Sequence, residues 1–228
     1  MPRIYSYILK NDSGAAPNPF WGVCTLTICK PAIRRTAEIG DWIIGTGSKR
    51  VKLENSQYHD FSGHLVYAMK VSNKLTLAEY DLYCRKNLRN KIPKWTEKDW
   101  EKKLGDCIYE YSKKGCRPRL RQSVHNNKNM KRDLSGKYAL LSNHFYYFGR
   151  NARPLPGHLM RLVKTTQGHL RFENEDIIRK FIKWISRFKK NKLYADPQLR
   201  FELEKKSAMN CSERDNKDEK KEKKTVLC

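Results

Sequence analysis

Apolar and polar positions along the chain follow the two-residue period of strands more often than the period of helices. Arg3 to Lys10 sets Ile4, Ser6 and Ile8 opposite Tyr5, Tyr7 and Leu9, which predicts a first strand. Val23 to Ile28 alternates in the same way, with Cys24, Leu26 and Ile28 on one face. Asp41 to Ile44 reads as a buried strand, and His64 to Val71 is apolar on both faces, as a central strand is. Leu159 to Val163 fits a short strand. Helical signals are fewer. Pro31 suits the start of a short helix and Gly40 its end. Thr76 and Glu79 form a capping box with Leu75 and Tyr80 as its staple, so a helix runs from there to about Leu88. Asn174 to Lys190 is the clearest helix. It carries Ile177, Ile178, Phe181, Ile182, Trp184, Ile185 and Phe188 on one face, and Arg179, Lys180, Lys183, Arg187 and Lys190 on the other.

Between these elements, Gly14 to Arg50 concentrates aromatic, basic and turn-forming residues. Pro17-Asn18-Pro19 is a restricted turn followed by Phe20 and Trp21. Gly45-Thr46-Gly47-Ser48 is expected to be a glycine-rich turn leading to Lys49 and Arg50. Turn amides, cations and flat rings together suit a phosphate and a stacked base. The reading expects Asn18, Phe20, Trp21, Trp42 and Ser48 at a base, with Tyr146 or Tyr147 of the aromatic run Phe145 to Phe148 stacking on it. Lys30, Arg34, Arg35, Gly45, Gly47, Lys49, Arg50, Arg117, Arg119, Arg121 and Arg150 are the expected phosphate contacts. The alternative is that Phe20, Trp21 and Trp42 fill the core and the glycines make a hairpin.

Composition favours the polyanion. The 228 residues hold 48 Lys and Arg against 24 Asp and Glu, a formal charge of +24. Such an excess points to nucleic acid. No apolar run approaches the roughly 18 residues that cross a bilayer, and the N-terminus lacks a signal-peptide core, so a cytoplasmic protein is expected. Ser112 to Lys137 holds nine Lys or Arg and one acid, Asp133, and reads as a basic loop insertion. Residues 1–192 form the expected single α+β domain, and 193–228 a charged, disordered tail. Seven irregularly spaced cysteines without a C-x-x-C pair point to reduced thiols, with Cys24 and Cys29 packed in the core.

An enzyme acting on nucleotides or modified DNA, as a nuclease, base hydrolase or transferase, is the alternative to a binding module. Asp41, His64 and His144 are its candidate acid–base groups, followed by His158 and His169. No spacing matches a known catalytic signature, including a Cys–His pattern, and Gly45 to Lys49 lacks the spacing of a phosphate loop. Neither metal nor cofactor is expected.

The segments APNPFWG at 16–22, CTLTICKPAIRR at 24–35, GDWIIGTGS at 40–48 and NHFYYFG at 143–149 resemble the nucleotide modification associated domain 2 family of bacteria and bacteriophages. The resemblance covers about Arg3 to Ile185. It implies a role near the making, reading or removal of modified DNA bases. The order of elements is also similar to PUA-like folds, including the EVE and ASCH domains. That implies a small mixed β-barrel or sheet with flanking helices, and a pocket for RNA or a modified base.

Overall fold

The computed structural model of the chain describes residues 2–53, 57–112 and 117–199. In chain order the first half contains β1 (Ile4–Leu9), β2 (Cys24–Leu26), α1 (Pro31–Thr36), β3 (Trp42–Gly47), β4 (Val51–Lys52), β5 (Tyr58–His59), β6 (His64–Lys70), β7 (Asn73–Thr76) and α2 (Leu77–Asn87). There follow α3 (Trp100–Lys103), β8 (Tyr109–Glu110), β9 (Arg119–Leu120), α4 (Asn127–Leu134), β10 (Tyr138–Ser142), β11 (His144–Tyr147), β12 (Arg153–Pro154), β13 (His169–Phe172), α5 (Glu175–Ile185) and β14 (Lys192–Leu193). The α+β class is therefore as expected.

A seven-stranded mixed sheet in the order β13-β1-β3-β6-β11-β14, with β12 joining β6, runs through the centre. The barrel is not formed. Among the described residues the end strands β13 and β14 do not pair, so the sheet stays open. Strand alternation sends the two faces into two cores. Tyr5, Tyr7, Ile43, Tyr67, Phe145 and Tyr147 pack on one side with Cys24, Leu26, Ile33 and Leu140, from the three-stranded β2-β10-β7 sheet and α1. Ile4, Trp42, Ile44, Tyr146 and Phe148 pack on the other against Ile177, Ile178, Phe181 and Ile185 of α5.

The capping box is present in both directions, Glu79 N–H to Thr76 and Thr76 N–H to Glu79, so α2 starts where the sequence places it. Leu159 to Val163 is corrected. A 3₁₀ turn spans Gly157–Leu162, where Pro156 precedes the turn and Leu159 and Leu162 reach the α5 core.

The basic insertion is corrected as well. Residues 117–137 carry β9 and α4, the latter opened by reciprocal hydrogen bonds between Asn126 and Asn129. Val124 and Met130 are buried in a third cluster with Phe20, Ile28, Leu104, Ile108 and Tyr109. Only a few positions face inward, which is why the composition reads as a loop. Residues 113–116 of that stretch lie outside the described residues.

The packed chain also passes the expected boundary at 192. Leu193 joins the core, the Leu199 amide donates to the Asp12 carbonyl at 2.8 Å, and residues 197–199 are buried. The rest of the expected tail, 200–228, lies outside the described residues.

Candidate active site

The aromatic pocket expected from the sequence is not assembled. Asn18 is buried, donating to the Leu104 carbonyl at 2.8 Å and accepting from Lys91 Nζ at 2.6 Å, so its amide closes a loop. Phe20 is buried edge-on to Trp100, and Trp21 is half-buried beside it. Trp42 is buried against Tyr146 and Phe181. Tyr147 is sealed in the opposite core, its hydroxyl 2.5 Å from Asp12. Because helix and sheet cover both faces of β11, neither tyrosine is left for stacking. Of the clefts among the described residues, one lies along α5 and one beside β8 and β9, and neither of these is lined by Phe20, Trp21, Trp42, Ser48 or Lys49.

The expected phosphate contacts disperse in the same way. Gly45 and Gly47 belong to β3 and form no turn. A side chain at Gly45 would meet the Tyr67 ring and one at Gly47 would meet Phe61, so the glycines make room for neighbours. Ser48 gives its carbonyl to the Phe61 amide. Lys49 and Arg50 are exposed, Arg50 over the Tyr58 ring, and Lys30 covers the Tyr7 ring. Arg35 donates to the Ser135 carbonyl, Arg119 pairs with Glu110 and Arg121 with Asp81, while Arg117 is exposed. Arg150 donates to the Pro197 carbonyl. Among the acid–base candidates, Asp41 is paired with Arg3 and accepts the Glu38 amide, as a structural cap does. His64 contacts the Ser62 carbonyl, and His144 bonds the Tyr146 hydroxyl. His158 lines a cleft and His169 packs beside Tyr5. Among the described residues none of these histidines hydrogen-bonds a carboxylate or a thiol.

A different set converges. Cys29 Sγ lies 3.5 Å from His125 Nε2, and His125 Nδ1 lies 2.5 Å from Asp133 Oδ2. Each member is held by local structure. Cys29 and Lys30 both have positive φ, 58° and 40°, a region that costs side-chain-bearing residues roughly 1–3 kcal/mol. Several bonds impose it. The Cys29 N–H donates to Asp133 Oδ1 at 2.9 Å, and the Cys29 carbonyl accepts from Arg34 Nε at 2.8 Å. His125 precedes the N-cap of α4 and Asp133 sits in its last turn, so that helix sets their spacing.

Arg34 is corrected from surface phosphate ligand to buried clasp. Its guanidinium donates to the carbonyls of Cys29, Tyr138 and Asp133, joining the two chain segments of the triad. Gly136 is what admits it, since a side chain there would overlap the guanidinium.

The electrostatics suit a nucleophile–base–carboxylate set. Burial pushes the Asp133 carboxyl up, but the His125 hydrogen bond and charge, the Cys29 amide and the Tyr109 hydroxyl outweigh it and hold it below its ordinary value. Burial first, then Asp133, pushes the Tyr109 hydroxyl far up, so it stays a neutral donor, 2.9 Å from Oδ2. Asp133 on Nδ1 leaves Nε2 to take the thiol proton. His125 and Asp133 are buried while Cys29 is partly exposed, so access is from the cysteine side.

The three donor atoms lie within 4.8 Å of one another, which also raises a metal site. A cation on Nε2 would take Cys29 and His125 and leave Asp133 as a support on Nδ1. Tetrahedral zinc needs about four ligands, and among the described residues no further His, Cys, Asp or Glu joins this group. Two ligands fit a metal poorly and a proton relay well.

Sequence reading misses this set because Cys29 and His125 are 96 residues apart and His125 lies in the stretch read as a loop. The only local hint is the Asn126–Asn129 spacing, which marks a helix beginning just after His125.

A family model described as nucleotide modification associated domain 2 matches residues 1–205. Neither the comparison with curated proteins nor that with solved structures gives a match.

Proposed function

The chain belongs to the nucleotide modification associated domain 2 family, and we propose that it serves nucleotide modification as a thiol enzyme that transfers or hydrolyses an acyl group. The observation that carries this reading is the Cys29–His125–Asp133 alignment, with the thiol on one imidazole nitrogen and the carboxylate on the other. His125 Nε2 takes the thiol proton as sulfur attacks an acyl carbon. The same proton then passes to the departing nitrogen or oxygen, leaving a thioester on Cys29. Water or an amine attacks the thioester, His125 takes its proton, and the thiol is restored. Asp133 holds the tautomer and balances the imidazolium.

Acyl chemistry is favoured because this set has one proton shuttle and one nucleophile. Glycosyl transfer would instead use two carboxylates flanking the bond. The charge of +24 supports a nucleotide or nucleic-acid carrier for the acyl group. The test uses p-nitrophenyl acetate as the acyl donor. A burst of nitrophenolate, with one acetyl mapped to Cys29 by peptide mass spectrometry, is expected. A burst that survives Cys29→Ala overturns the assignment.

A further inference from the structure

A run of exposed cations follows α5 on the far side of the sheet. A cleft of about 540 Å³ lies between the cationic face of α5 and the chain at 154–158. Leu155, Pro156 and Trp184 give it an apolar floor, and His158, Lys183 and Arg187 ring it. Lys183, Arg187 and His158 are exposed, whereas Trp184 is half-buried. The Trp184 ring is fixed by Phe188, edge-on at 5.5 Å, and by Phe181 at 6.3 Å. Lys180, also on this rim, is already engaged by Asp176 at 2.6 Å and is not needed. Among the described residues no Asp or Glu lines the cleft.

The size falls within the roughly 300–1,000 Å³ of small-ligand sites, enough for a base and its sugar. A fixed indole beside exposed cations is how single strands are held: bases stack on the ring and phosphates lie along the charges. A duplex keeps its bases stacked on each other and gains only the charges.

We propose that this cleft binds single-stranded nucleic acid, with a base on Trp184 and backbone phosphates on Lys183 and Arg187. α5 packs on one face of the central sheet, whereas α1, which follows Cys29 directly, packs on the other. The cleft is thus a site separate from the cysteine and stands without the thioester reading. It holds the polymer while another part of the same strand or a second substrate reaches Cys29.

The test is fluorescence anisotropy with a labelled oligothymidine, its RNA counterpart and a duplex of equal length, titrated in salt. K183E/R187E is expected to weaken both single strands at least tenfold and to flatten the salt slope by about two, as the loss of two phosphate contacts does. W184L is expected to weaken the single strands by roughly fivefold to a hundredfold, leave the duplex unchanged, and be rescued in part by W184F. C29A should bind like the unaltered chain, so a failure of the thioester assignment would not touch this result. The milder K183Q and R187Q give the same readout should the charge reversals impair folding. Unchanged single-strand binding in the lysine–arginine and tryptophan variants overturns the proposal, as does an equal loss of duplex and single strand in W184L.

Discussion

The layer that carries Cys29 and the helix that carries Lys183 draw on one surplus of cations and use it in opposite ways. In the layer behind the cysteine three cations are turned inward. Arg34 is spent on three backbone carbonyls, Arg121 on Asp81, and Lys91 on the carbonyls of Asn18 and Val23 and on Thr25. Each ties together segments far apart in the chain. Along α5 the apolar half of the helix already fixes it to the sheet, so its cations are left at the surface. A net charge alone cannot separate these uses. What separates them is whether backbone carbonyls lie within reach of the buried cation.

Breaking the cysteine side should have the largest effect and leave the helix side intact. Cys29→Ala is expected to abolish the acetyl burst while oligonucleotide affinity stays put. Asp133→Asn should lower the acylation rate by about 10²- to 10⁴-fold, because an amide favours the wrong imidazole tautomer. If stopped-flow nitrophenolate release is unchanged in Asp133→Asn, His125 is not oriented through Nδ1 and the relay is wrong.

The contrast between the two regions also explains what could be read from the chain beforehand. α5 was legible because its burial follows a simple period over eleven residues, and α2 because Thr76 and Glu79 cap it within four positions. Both signals are local. α4 was hidden since Lys128, Lys131 and Arg132 face water around an inward Met130 and Asp133. Cys29 looks like a core residue from its strand-like neighbours, yet the chain leaves β2 after Leu26 and turns through two positive-φ residues before Pro31. Gly45 and Gly47 look like a turn from composition, but their purpose is set by Tyr67 and Phe61, whose rings and backbone pass over the strand. Pairings across such distances leave no trace in the spacing of residues.

A buried carboxylate with no cation beside it among the described residues sharpens the comparison further. Asp12 accepts from the Tyr147 hydroxyl and the amides of Gln198 and Gly14, but burial dominates and pushes it up to about 6. The native state thus keeps a proton that the unfolded chain has already released. Its stabilising share is complete below the ordinary Asp value and is lost as pH rises through about 6, a change of about 3 kcal/mol. Asp133 behaves oppositely, since its lowered value makes its share complete at neutral pH and lost only in acid. Urea unfolding of the Asp12→Asn variant between about pH 4 and pH 7 should therefore show a flatter loss of stability than the unaltered chain. Parallel curves for the two would mean that Asp12 is not proton-linked to folding.

Gly136→Ala tests the clasp. An added methyl would overlap the Arg34 guanidinium, so the side chain must leave at least one of its carbonyls. Unsatisfied buried groups of this kind cost about 1–3 kcal/mol. Thermal unfolding should fall accordingly and the burst should slow, while oligothymidine binding on α5 holds. A variant as stable and as fast as the unaltered chain would remove Arg34 from the account of how Cys29 is positioned.

The smallest effect is expected from Tyr109→Phe. The hydroxyl is one of three donors on the Asp133 carboxylate, with the Cys29 amide on Oδ1 and His125 sharing Oδ2. Losing it removes about 1 kcal/mol of hydrogen bonding, while the amide still fixes the plane of the group. The carboxylate should then rise toward its ordinary value, and the acid limb of the acylation rate should shift to higher pH with only a few-fold loss at the plateau. A shift of the limb without loss of folding stability assigns Tyr109 to the tuning of Asp133. Equal loss of stability and plateau rate, with the limb unmoved, would make the tyrosine a packing residue and leave Cys29, His125 and Asp133 to act without it.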